Sequence, residues 1–182
     1  NKVEDIVRSW IIKNSESKTV ETELKAQMQF LLAKNYYGNK RYDVARSEYQ
    51  TVINRYADTL FAVEAQFGIG ETFMAQKVYD QAEKVFEKLA GSQDTEIIVR
   101  AEFLRGMLAH RRGDNDEARD IFRTVLERVP NIELANKALF NLSEVYGDEE
   151  RYMDQLQLLM TVGRLGRVSK RLHGPGMPLS IV

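Results

Sequence analysis

Ten consecutive residues, Arg111 to Asp120 (RRGDNDEARD), bring together an Arg-Gly-Asp tripeptide and the four carboxylates of Asp114, Asp116, Glu117 and Asp120. Such runs bind calcium when acids or amides stand at the first, third and fifth positions of a loop, a Gly at the sixth and a Glu at the twelfth. Counted from Asp114, the fifth position is Ala118, the sixth Arg119 and the twelfth Val125, so the loop fails at three defining places. A second chemistry-bearing set is cationic: Arg100, Arg105, Arg111 and Arg112, with His110 among them. Arg100 and Arg111 could clamp a carboxylate through the paired donors of guanidinium. The alternative is a solvated helix face paired with acids such as Glu71 or Glu144.

Beyond these, little could do chemistry. The chain has no Gly-rich phosphate loop, no His beside a plausible nucleophile and no His or carboxylate set at metal spacing. No catalytic, cofactor-binding or metal site is therefore expected, and the protein is expected not to be an enzyme. With no Cys, disulfides and thiolate sites are excluded. Acidic and basic residues nearly cancel, 27 against 26, so no global field favours nucleic acid. No apolar run approaches the roughly 20 residues needed to span a bilayer, and no direct membrane insertion is expected. A length of 182 residues, 43% hydrophobic and 29% charged, suits one ordinary globular domain.

The elements that must position these side chains follow from an internal repeat. Three segments align without gaps: YDVARSEYQTVI from Tyr42, YDQAEKVFEKLA from Tyr79 and NDEARDIFRTVL from Asn115. Each has an Ala followed four residues later by an aromatic: Ala45 and Tyr49, Ala82 and Phe86, Ala118 and Phe122. That spacing places the pair on one helix face, a turn apart. Twelve residues before each Ala stands another small residue, Ala33, Gly70 or Gly106, and a weaker fourth copy sets Ser143 before Gln155. A Phe recurs at one point of every copy, Phe30, Phe67, Phe103 and Phe140, at spacings of 37, 36 and 37. Turn signals such as Gly38-Asn39, Gly113-Asp114 and Gly147-Asp148 separate two helices per copy. The expected helices are 20–37 and 41–55, 60–76 and 79–90, 95–112 and 114–128, and 132–146 and 150–163. Asp114 is expected to cap the second helix of its pair. The small residues let paired helices approach, and Tyr49, Phe86 and Phe122 fill the space beyond.

This pattern resembles the tetratricopeptide repeat, with Pro130 in the place of its closing Pro. The position of its usual helix-A Trp is held by Gln29, Gln66, Glu102 and Leu139. The resemblance implies an all-α, right-handed superhelical solenoid of helix-turn-helix hairpins, in four repeats at about 20–57, 58–94, 95–130 and 131–163. The run YDVARSEYQTVINRYADTLFAVEAQFGIGETF is most similar to repeats of bacterial envelope proteins, such as the Tol-Pal coordinator and outer-membrane assembly lipoproteins. A periplasmic or envelope location is accordingly expected over a cytoplasmic one.

In such solenoids helix A lines a concave groove that takes an extended peptide or a helix of a protein partner. By resemblance the groove would include Gln27, Phe30 and Lys34; Glu64, Phe67, Glu71 and Met74; Arg100, Phe103, Met107 and Arg111; and Lys137, Phe140 and Glu144. The four Phe would form a ladder, unless each packs between neighbouring repeats instead. A homo-oligomer formed through the array ends or the C-terminal tail is the alternative function, and a rigid spacer beside a catalytic or export domain a third.

The ends carry their own expectations. Val3, Ile6, Val7, Trp10 and Ile11 have amphipathic helical spacing. Residues 1–19 are then a partial repeat, a helix B without its helix A, or an N-terminal cap anchored by Trp10. Residues 164–173, with Arg164, Arg167, Lys170 and Arg171, read as a basic capping helix. Residues 174–182, opening on Gly174-Pro175-Gly176, read as a linker or the start of a further domain.

Overall fold

The computed structural model describes residues 2–17, 20–128 and 131–160. Their regular structure is helical throughout. In chain order the elements are α1 (Lys2–Asn14), α2 (Thr22–Gly38), α3 (Tyr42–Arg55), α4 (Leu60–Ala75), α5 (Tyr79–Ala90), α6 (Thr95–Arg112), α7 (Asn115–Arg128) and α8 (Ile132–Asp148). Residues 152–160 are helical as well. Each expected boundary lying in the described residues falls within two residues of an observed one. Pro130, the basic stretch 164–173 and the tail 174–182 lie outside the described residues.

One device closes every helix A. The backbone N–H of Arg41 donates to the Tyr36 carbonyl at 2.9 Å, Val78 to Phe73 at 2.9 Å, Asp114 to Ala109 at 3.0 Å and Arg151 to Tyr146 at 2.9 Å. This six-to-one closure requires the residue before the donor to be left-handed. Those residues are Lys40 (φ 59°), Lys77 (φ 61°), Gly113 (φ 89°) and Glu150 (φ 56°). Only the third copy meets the requirement with glycine. Gly38 and Gly147, expected as turn residues, instead belong to the last turns of α2 and α8. The donor residue then opens helix B through its own carbonyl, which accepts from Ala45, Ala82, Ala118 and Gln155 in the four copies, at 2.9 to 3.2 Å. Asp114 therefore starts α7 through its backbone carbonyl. Side-chain caps occur at helix A: Asp94 Oδ1 accepts from Glu96 N–H at 2.8 Å, and Asn131 Oδ1 accepts from Leu134 N–H at 2.9 Å.

The chain divides into two compact units, Asn1–Leu89 and Ala90–Val182. In the first, Leu32, Ala33 and Tyr36 of α2 pack with Ala45, Tyr49 and Val52 of α3 and Ala65 of α4. Close approach is built in by glycine: a Cβ on Gly68 would lie 2.5 Å from Tyr49 Cζ, and one on Gly70 would enter the Phe86 ring. α1 supplies Val7 and Ile11 to this core. It meets α2 as α3 meets α4. The Arg8 guanidinium lies over the Tyr36 ring at 5.5 Å, and Arg46, at the aligned position, lies over Phe73 at 4.4 Å. In the second unit, Leu104 and Leu108 of α6, Phe122 and Val125 of α7, and Leu142 and Val145 of α8 are buried. A Cβ on Gly106 would lie 2.8 Å from Phe122 Cε1, so the small-residue and aromatic positions again meet.

Candidate functional site

The helix-A positions divide by burial. On α2 of the first unit, Gln27 and Lys34 are exposed and Phe30 is half-buried. The Phe30 ring centroid is 5.6 Å from Tyr49 and 5.5 Å from Phe61, and the Lys34 ammonium sits 5.8 Å from it on the solvent side. On α4, Glu64 and Glu71 are half-buried. Both raise the Tyr49 hydroxyl pKa by their charge, though burial does so most. Phe67 and Met74, expected in the groove, are only 1% and 5% exposed. They are core residues, because α4 is closely packed along most of its length and leaves no face wide enough to expose them.

In the second unit, Arg111 is exposed while Arg100 and Met107 are half-buried on α6. Phe103 is 6% exposed, its ring 5.9 Å from Phe122, and so it too packs inside. On α8, Lys137 and Glu144 are exposed, and Phe140 stands 62% exposed. The expected ladder of four equivalent Phe is thus two core rings, one half-buried ring and one exposed ring. The packing positions Ala33, Ala45, Tyr49, Gly70, Ala82, Phe86, Gly106, Ala118 and Phe122 are all buried.

Two apolar side chains escaped sequence reasoning. Leu24 and Leu31 are 42% and 45% exposed. They fall on one stripe of α2 with Gln27 and Lys34, at i, i+3, i+7 and i+10. The available signal was the surplus of large apolar residues on α2, more than a single buried face requires.

Polar networks join the helices locally. The Tyr36 hydroxyl donates to Glu4 Oε1 at 2.6 Å and accepts from Arg8 Nε at 2.7 Å. The bond from Tyr36 holds the Glu4 carboxyl below its ordinary range, aided by Arg41 and Arg8. Burial pushes Glu48 upward, against the opposing pull of Arg8 and Gln29. Within the acidic stretch, Arg119 turns from Asp116 to Glu149, donating to its two oxygens at 2.8 and 3.0 Å. Of the four carboxylates in the stretch, that of Asp116 is thus held by Arg119 a turn along the same helix. Among the described residues, no three of His, Asp or Glu are grouped to hold a metal ion. Arg100, Arg105 and Arg112 each take part in a side-chain interaction. His110 Nε2 lies 2.8 Å from Asp148 Oδ2, tying α6 to α8.

The profile of the family described as Tetratricopeptide repeat matches residues 30–97, 79–131 and 103–158. No curated protein sequence matches the chain. Among solved structures, the apo form of RapI is similar at a TM-score of 0.71 and 17% identity, over 88% of this chain and 48% of that one. A Rap protein complexed with competence and sporulation factor is similar at 0.64 and 20%, over 85% and 48%. MamA from Desulfovibrio magneticus is similar at 0.61 and 12%, over 92% and 97%. The chain spans about half the length of the first two structures. At these identities the likeness is one of fold, an all-α solenoid of helical hairpins.

Proposed function

Because the chain belongs to the tetratricopeptide repeat family, we propose that it is a non-catalytic scaffold holding a protein or peptide partner on its helix-A faces. The observation that carries this reading is the exposed apolar stripe on α2. Leu24 and Leu31 stand in solvent beside Gln27 and Lys34, with Phe30 half-buried at their edge. Apolar side chains framed by polar ones are what a partner's anchors cover. Phe140 supplies a second such anchor on α8. The Rap structure complexed with competence and sporulation factor is a precedent for a bound partner on this fold.

The test compares partner recovery by wild-type protein and by Leu24→Ser with Leu31→Ser, and separately by Phe140→Ser. Loss of a co-purifying partner with unchanged melting supports the reading, and undiminished recovery by both variants sinks it. Phe67→Ala is the contrasting control, expected to cost about 3–5 kcal/mol of stability as a buried Phe.

A second reading, self-association through the array ends, is favoured by Tyr152, Met153 and Leu156, all more than half exposed on the helix at 152–160. Light scattering at two concentrations decides it: a monomer at both rejects it. We also place the protein in the bacterial envelope, on the likeness of the run from Tyr42 to Phe73. Cell fractionation that finds it with cytoplasmic markers overturns this placement.

A further inference from the structure

The first unit contains the same three-helix arrangement twice. Only one of the two copies is closed.

In the first copy, α2 lies between α1 and α3. Gln29 of α2 donates from Nε2 to Glu48 Oε2 of α3 at 2.5 Å. Arg8 of α1 reaches Glu48 Oε1 at 3.4 Å. A carboxylate from helix B thus satisfies the helix-A amide and is neutralised by a cation from the preceding helix. In the second copy, α4 lies between α3 and α5. Gln66 stands at the Gln29 position, but the Glu48 position is Val85. The half-buried Gln66 amide has no side-chain partner among the described residues.

In place of the missing carboxylate there is a groove of about 270 Å³, lined by Ile53, Gln66, Ile69, Val85, Lys84 and Lys88 among others. Three branched aliphatic side chains form its apolar surface. Lys84 and Lys88 are exposed, a turn apart on α5, and neither forms an ion pair among the described residues. The volume is below the roughly 300–1,000 Å³ of small-molecule pockets, and suits one or two side chains of a polypeptide. Two ammonium groups without an ion pair, beside an amide with no side-chain partner and an aliphatic surface, complement a carboxylate next to a branched apolar residue.

We propose that the groove between α3 and α5, floored by α4, takes an acidic, aliphatic segment of a partner polypeptide, its carboxylate bonding Gln66 and neutralised by Lys84 and Lys88. The ligand carboxylate would do there what Glu48 does against Gln29. This surface is separate from the Leu24 and Leu31 stripe.

The probe is a fluorescein-labelled, end-blocked peptide Leu-Glu-Leu-Leu-Glu-Leu, titrated against the whole chain by anisotropy, with its Gln-for-Glu analogue as control. The acidic peptide is expected to bind about tenfold or more tightly than the analogue, and the double variant Lys84→Glu with Lys88→Glu to lose that difference at unchanged melting. Val85→Glu, which restores the arrangement of the first copy from within, is expected to block the groove. The Gln66 side-chain amide resonance should shift on titration. Equal affinity for the two peptides, indifference to the lysine reversals, or shifts confined to Phe30 and Lys34 would overturn the proposal. So would a concentration-dependent dimer abolished by the lysine variants, since the occupant would then be a second copy. Leu24→Ser with Leu31→Ser leaves the peptide affinity unchanged if the two surfaces are distinct, so failure of the scaffold reading is distinguishable from failure of this one.

Discussion

At the residue scale, glycine has opposite meanings at different points of one repeat. Gly70 faces the Phe86 ring so closely that an added methyl must displace it, whereas a methyl on Gly38 meets nothing within 4 Å. Gly70→Ala is expected to cost about 1–3 kcal/mol through overpacking. Gly38→Ala is expected to stabilise by up to about 1 kcal/mol through helix propensity. Urea titration of both reads the sign directly, and two changes of the same sign would contradict the packing described. The left-handed turn residue gives a third case. Lys77 sits at φ 61°, a conformation that costs a side chain about 1–2 kcal/mol and glycine little. Lys77→Gly should therefore raise the urea midpoint, despite placing the more flexible residue in the chain.

At the element scale, α1 is held by few contacts, since none of its residues is fully buried. Its polar anchorage converges on Tyr36, which binds both Glu4 and Arg8. Trp10, the only Trp in the chain, lies on α1 and is half-buried, so its emission reports docking. Tyr36→Phe should shift that emission to the red with little change in total helicity. Acid should act in the same direction. The carboxyl of Glu4 is depressed in the folded state, so its contribution is present above the ordinary value of 4.5 and is lost as pH falls through the depressed one. Glu48 is raised by burial and has the opposite sign: its protonation favours the folded state, although it removes a partner from Arg8. Because Tyr36 is the largest cause of the Glu4 shift, Tyr36→Phe should move the acid transition of Trp10 to higher pH. An unmoved transition would show that Glu4 does not govern the docking.

At the scale of the whole molecule, a repeat array gains stability from contacts between sequence neighbours, so its parts retain some independence. The core built from α2, α3 and α4 lies wholly within residues 1–89. That fragment is expected to fold alone into a helical, cooperatively melting unit. A non-cooperative melt in circular dichroism would show that the first unit depends on the second. The helical hairpins and the packing pairs were legible in sequence because Ala45 with Tyr49, Ala82 with Phe86 and Ala118 with Phe122 repeat in register, and that register is set locally by helix periodicity. The partner-facing set was only partly legible. Phe30, Phe67, Phe103 and Phe140 occupy equivalent positions in sequence and differ widely in exposure.

What the sequence determined by itself is therefore the repeat: its period, its helices and the small and aromatic residues that let paired helices approach. These depend on interactions within about forty residues, and each copy restates them. The tertiary structure alone decided which faces remained in solvent. The exposure of Leu24 and Leu31, the burial of Phe67, Met74 and Phe103, and the groove left where Val85 replaces a carboxylate all depend on how neighbouring helices fit together in space. A side chain's accessibility is set by the volume its neighbours leave, which a local pattern does not encode.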